Sequence, residues 1–157
     1  MHHTLTTSSS EDTIALGRRL GVLLEVGDVV ALTGTLGSGK TCFTKGLALG
    51  LGVHPDTVIT SASFALVNEY QGRCRFFHMD LYRLTGPLEF ASAGLEEFLF
   101  DDGVAAVEWA DRVPEALPEQ RIDVAFAIIN DHRRQITLAG RQPKAVEIIS
   151  SIADNMS

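Results

Sequence analysis

A chain of 157 residues can bury the core of one domain and is too short for a nucleotide module plus a second catalytic domain. Twenty Asp and Glu against 13 Lys and Arg give a formal net charge of −7, a field that repels nucleic acid and anionic membrane surfaces, so no direct strong nucleic-acid binding is expected. Cys42 and Cys74 lack metal-site spacing and read as free thiols. With no secretion-signal layout and no apolar run of bilayer length, a soluble cytoplasmic protein without membrane contact is expected.

Residues 1–8, including His2 and His3, read as a disordered polar end with no metal role. Ser8-Ser9-Ser10 followed by Glu11 and Asp12 makes a helix start, with hydroxyls to cap free N–H groups and acids beside the positive end of the dipole. Ile14, Leu16, Leu20, Leu23 and Leu24 supply an apolar face, and a helix is predicted near residues 10–24. Asp28 to Thr33 is a short apolar run of the kind that makes a buried strand. Gly34-Thr35-Leu36-Gly37-Ser38-Gly39-Lys40-Thr41 then fits G-x-x-x-x-G-K-[ST], and the proline-free Cys42 to Leu51 reads as a helix closed by Gly50, Gly52 and Pro55.

Strand, glycine-rich loop and helix together make a phosphate-binding P-loop. The glycines let backbone N–H groups turn inward around a polyphosphate, and the helix aims the positive end of its dipole at the same anion. Lys40 is expected to reach the outer phosphates and the Thr41 hydroxyl to coordinate Mg²⁺.

Ser61-Ala62-Ser63-Phe64 follows, either a loop whose hydroxyls sense the γ-phosphate or a plain turn of small polar residues. Phe64 to Tyr70 and Cys74 to Leu81 are strand-like runs joined by Gln71-Gly72-Arg73 as a β-hairpin. Pro87 to Phe100 reads as one or two helical segments broken at Gly94, and Val104 to Val107 as a buried strand ending in Glu108. Beyond Pro114 and Pro118, Ile122 to Ile129 and Gln135 to Leu138 form a second hairpin through Asn130 to Arg134, and Pro143 to Ile152 a last helix. The sum is a small α/β sandwich with a mixed sheet, one domain over residues 1–157.

Chemistry on a bound nucleotide also needs acidic oxygens near the metal. Glu108 directly follows an apolar strand, the placement of a Walker B acid, because groups at strand ends of an open α/β sheet lie in the ligand crevice. The alternative is an ordinary acid at an exposed strand end. Phe76, His78, Asp80 and Tyr82 share one face of their strand, opposite Phe77, Met79 and Leu81. His78 and Asp80 could form a metal pair. Since Mg²⁺ prefers oxygen, Asp80 reads as reaching toward the metal or its waters and His78 as a hydrogen-bonded structural residue. A salt bridge to Arg83 is the alternative for Asp80.

G-x-L-G-x-G-K-T at 34–41, S-x-S-F-x-L-V-x-x-Y at 61–70, H-x-D-L-Y-R at 78–83 and Glu108-Trp109 together resemble TsaE, the bacterial P-loop ATPase family of tRNA threonylcarbamoyladenosine biosynthesis. The order and spacing agree across about residues 8–140. The resemblance implies a P-loop NTPase three-layer sandwich whose parallel core is flanked by antiparallel strands. It also implies slow, partner-stimulated ATP hydrolysis with Mg²⁺, and work alongside TsaD and TsaB. Those two proteins carry out the threonylcarbamoyl transfer to the adenosine next to the anticodon in tRNAs reading codons that start with A. On this reading the chain is an ATP-driven factor that resets its partners.

Carried over by position, Leu36, Gly37, Ser38, Gly39, Lys40, Thr41 and Cys42 would hold the phosphates. Thr41, Glu108 and Asp80 would hold Mg²⁺, with Lys40, Asp80 and Glu108 catalytic. Ser10 and the Arg133-Arg134 pair fall near nucleotide-contacting positions, with Arg133 taken as the contact; a solvated hairpin rim is the other reading. Trp109 is either part of the site or an edge aromatic.

Thr35, Ala62 and Ser63 stand where the family commonly has Asp, Pro and Thr, changes that bear on rate and affinity more than on identity. Two other functions stay open on the P-loop: a small-molecule kinase, which needs an arginine-bearing lid, or a nucleotide-dependent binding module with negligible turnover.

Overall fold

The apolar runs become strands of one seven-stranded sheet, in the order β1-β7-β6-β2-β5-β4-β3, in a computed structural model that describes residues 1–60, 67–99 and 102–155. The strands are β1 (His2–Thr7), β2 (Val29–Gly34), β3 (Val67–Gln71), β4 (Arg75–Asp80), β5 (Gly103–Glu108), β6 (Ile122–Ile128) and β7 (Arg134–Ala139). The helices are α1 (Ser10–Leu23), α2 (Lys40–Gly50), α3 (Pro87–Ser92) and α4 (Pro143–Asn155), with 3₁₀ turns at Leu95–Leu99, Ala110–Arg112 and Pro114–Ala116. Strands β6, β2, β5 and β4 run parallel; β7 and β1 continue the sheet antiparallel on one side and β3 on the other. This is the mixed sheet with a parallel core that the sequence predicts.

Strand alternation sorts the core into two layers. Val30, Leu32, Phe76, Val104, Ala106 and Val124 face α1, α2 and α4. Val29, Ala31, Phe77, Met79, Ala105 and Val107 pack with Phe90 of α3 and with Leu95, Leu99 and Val113 of the 3₁₀ turns. Helical segments cover both faces, and Gly94, at φ +71, turns the chain between α3 and the 3₁₀ segment, where the helical reading of Pro87 to Phe100 broke.

One expectation is corrected. Residues 2–7 are not a disordered end but strand β1, an edge strand paired antiparallel with β7 from His2↔Ala139 to Thr7↔Arg134. At its end the Thr7 hydroxyl meets that of Thr13 at 2.8 Å in a buried contact.

Helices α1 and α2 meet backbone to backbone. Gly17 and Gly21 on α1 and Gly46 and Gly50 on α2 form two facing small-xxx-small stripes. A Cβ on Gly46 would lie 2.1 Å from the Ile14 carbonyl oxygen, and one on Gly17 would lie 2.3 Å from that of Phe43. Arg73, in the β3–β4 turn, closes the C-terminal ends of both helices: its guanidinium donates to the carbonyls of Gly50 (3.0 Å), Gly21 (3.0 Å) and Val22 (3.3 Å), and also to Leu24 O. A cation on the last carbonyls complements the negative end of each dipole.

Candidate functional site

Gly37 and Gly39 take φ of +77° and +106°, the left-handed region that glycine enters at no steric cost, and with them the chain turns from β2 into α2. Helix α2 begins at Lys40 behind Gly39, a residue with no side chain to cap the first N–H groups. Its amino end is therefore open to an anion. Helix α1, beside it, is closed by its own side chains: Ser9 Oγ accepts the Asp12 N–H at 3.1 Å, and Asp12 Oδ2 accepts the Ser8 N–H at 3.0 Å.

The Lys40 ammonium is folded onto its own loop. It donates to Gly34 O (2.7 Å), Thr35 O (2.8 Å) and Ser38 Oγ (3.4 Å), and it lies 4.3 Å from the centre of the Trp109 ring. Burial lowers its pKa from the ordinary 10.5, against the opposing pull of the Glu108, Asp80 and Asp111 carboxylates. Trp109 leaves the end of β5 at φ +61°, unusual for a non-glycine residue, and its ring also stacks at 4.9 Å on Tyr82 and at 5.6 Å on the Arg112 guanidinium. That geometry sets the Trp109 ring against the Lys40 ammonium.

The two expected carboxylates come together because β4 and β5 are parallel neighbours in register, with Asp80 opposite Glu108 at their C-terminal ends. Leu32, the third-last residue of β2, is the register partner of Glu108 on the other side, which sets Glu108 beside the loop. Thr41 Oγ1 reaches Glu108 Oε1 at 3.4 Å, while Glu108 Oε2 is hydrogen-bonded to His78 Nε2. Asp80 Oδ1 accepts the Tyr82 N–H at 3.0 Å. His78 is therefore not half of a metal pair with Asp80: one ring nitrogen is engaged by Glu108 and the other is buried. Among the described residues no cluster of three or more His, Cys, Asp or Glu side chains could hold a metal alone. The Thr41 hydroxyl and the Glu108 and Asp80 carboxylates suit a hard cation whose remaining ligands come from phosphates and water.

A cleft of about 160 Å³ opens between the loop, the start of α1 and the β6–β7 turn, lined by Ser9, Ser10, Gly37, Gly39, Cys42 and Arg134 among others. Ser10 and Cys42 thus border the same cleft. Of the two hairpin arginines it is Arg134 that lines the cleft, its guanidinium 3.4 Å from the Gly37 carbonyl; Arg133 is exposed on the turn, its N–H bonded to Asn130 Oδ1. The Leu36 side chain is 72% exposed, so only its backbone serves the loop. The proposed γ-phosphate sensor at Ser61 to Phe64 lies outside the described residues. Sequence reasoning passed over Asp111, whose charge acts on Lys40; a carboxylate three residues beyond Glu108, in the turn that leaves the same strand end, was the available signal.

A glycine-rich loop joining a central parallel strand to its helix, with acids at the C-terminal ends of the neighbouring strands, defines the P-loop NTPase fold. Within that class the chain belongs to the TsaE family. Its residues 7–136 match the model described as threonylcarbamoyl adenosine biosynthesis protein TsaE. It is 44% identical over 131 residues to the Treponema pallidum tRNA threonylcarbamoyladenosine biosynthesis protein TsaE, covering 83% of this chain and 96% of that one. Against the Bacillus subtilis protein of the same name it is 38% identical over 132 residues, covering 83% and 81%. The crystal structure of Bacillus subtilis YdiB superposes with a TM-score of 0.85 at 30% identity, over 100% of this chain and 97% of that one.

Proposed function

We propose that this protein is the Mg²⁺-dependent ATP-binding and slowly hydrolysing subunit of the system that makes threonylcarbamoyladenosine in tRNA, acting in the cytoplasm with TsaD and TsaB. The role in that biosynthesis comes with family membership. The nucleotide chemistry is carried by one observation: the open start of α2 and the buried Lys40 sit against the carboxylates of Glu108 and Asp80. A polyphosphate held by the loop alone would meet those carboxylates as like charges, so the arrangement calls for a divalent cation between them. Thr41, Glu108 and Asp80 are the residues that would hold it, and when bound it would neutralise charge on the phosphate oxygens.

The protein's own groups divide the remaining work. Backbone N–H groups of Gly37 to Cys42 bind the phosphates, and Lys40 exchanges its bonds to Gly34 and Thr35 for the outer ones. Arg134 and Ser10 line the cleft beside the loop and would border the nucleoside. Among the described residues no side chain at the site is a strong base for water, which supports slow turnover that a partner accelerates. The kinase reading has less support, because the Arg73 guanidinium is committed to helix ends on the far side from the loop.

The test is phosphate release by the purified protein together with TsaD and TsaB, alongside tRNA modification over many turnovers. Stimulated release that vanishes in Lys40→Ala is expected. Equal release from wild type and Lys40→Ala would end the ATPase reading, and unchanged modification with Asp80→Ala would remove Asp80 from it.

A further inference from the structure

Beyond the phosphate loop and its acids, the buried His78–Glu108 pair is a cluster whose composition the core does not explain. We propose that His78 is a positioning residue that fixes which oxygen of Glu108 faces Thr41, and so sets how strongly the protein's nucleotide binding responds to Mg²⁺. The proposal rests on the reading of Glu108 as a cation-holding group.

His78 is fully buried on β4, and Glu108 is 2% exposed on β5. Their strands are in register with His78 opposite Ala106, a methyl side chain that leaves the imidazole room to lean two residue pairs onward to Glu108. A carboxylate only accepts hydrogen bonds, so the pairing selects the ring form with the proton on Nε2. With Oε2 held by His78, the carboxylate cannot rotate freely, and Oε1 stays on the Thr41 side. His78 Nδ1 is then a buried acceptor with no hydrogen-bond partner among the described residues.

An unmatched nitrogen works against folding, in a layer otherwise filled by Phe76, Val104 and Ala106. Packing alone would favour an apolar residue at position 78. What the imidazole adds over such a residue is the Nε2 bond to Glu108, and its effect is on the carboxylate's orientation. His78 itself does not reach a ligand: one nitrogen is engaged and the other is enclosed.

The experiment compares wild type, His78→Leu, His78→Met and His78→Gln. Leu and Met fill the space without a donor, whereas the Gln amide can present an N–H near the position of Nε2. Binding of adenylyl-imidodiphosphate is measured calorimetrically without Mg²⁺ and across a Mg²⁺ titration, and melting temperature is recorded for each variant. For the donor-less variants, metal-free affinity within about twofold of wild type is expected. The Mg²⁺ concentration needed for half the full strengthening should rise at least about tenfold; the melting temperature should fall, because the buried Glu108 Oε2 loses its donor. His78→Gln should restore the Mg²⁺ response to within about threefold.

An unchanged Mg²⁺ response in His78→Leu or His78→Met, or failure of both to fold, makes the residue structural and overturns the proposal. So does a loss of response that His78→Gln does not recover. Glu108→Gln separates the underlying reading: if it leaves the Mg²⁺ response of wild type intact, Glu108 holds no cation and the proposal fails at that earlier step.

Discussion

The two ends of α2 are finished in opposite ways. At its C-terminal end the Gly50 carbonyl, with the last carbonyls of α1, is taken by Arg73, and facing glycines lock the two helices together. At its N-terminal end there is no side-chain cap, the lysine is folded onto loop carbonyls, and a tryptophan in the left-handed region covers it. Satisfied polar groups and close packing stabilise; open N–H groups and a buried cation do not. Along α2 the open groups stand where an anion would meet them, and the last carbonyls at the opposite end are taken.

That contrast can be broken most severely at the glycine contact. Gly46→Ala places a methyl group against a carbonyl it cannot displace and should cost about 3 kcal/mol or prevent folding, measured by urea unfolding. At the other end, Lys40→Met should weaken nucleotide binding by about 100-fold, or about 3 kcal/mol, in a calorimetric titration. It should nonetheless raise the melting temperature of the nucleotide-free protein. The folded pKa of Lys40 lies below its unfolded value of 10.5, so the charged form opposes folding. Wild-type stability should gain on that of Lys40→Met as pH rises from below the shifted value towards 10.5, and a gap that stayed constant or widened over that window would contradict the assignment.

Arg73→Ala should cost about 1–2 kcal/mol of stability and leave nucleotide affinity within about twofold. A large loss of affinity would mean that the two ends are coupled. Smallest of all, Glu69→Gln removes an exposed partner of Arg75, 2.8 Å away, and should change stability by about 0.5 kcal/mol or less.

Much of this was legible in the sequence where a local signal existed. The apolar runs of β2 and β5 and the phosphate-loop pattern carried their own periodicity and spacing, and the alternation Phe76, His78, Asp80 already put His78 and Asp80 on one face of β4. What stayed hidden depended on partners distant in the chain. β1 has mostly polar residues with alternating exposure, and what orders it is β7, more than a hundred residues later. Arg73 bonds to backbone carbonyls, which leave no mark on residue identity. The His78–Glu108 pair needs the β4–β5 register, and the choice of Arg134 over Arg133 needs the pitch of one hairpin turn. The glycine stripes were readable in principle, since Gly17/Gly21 and Gly46/Gly50 each stand four residues apart on their helices.

The backbone contact between α1 and α2 also limits where motion can occur. Where the facing glycines meet, no side chain could change rotamer to let one helix move past the other, so α1 and α2 are tied as one unit and Ser10 keeps its place beside the start of α2.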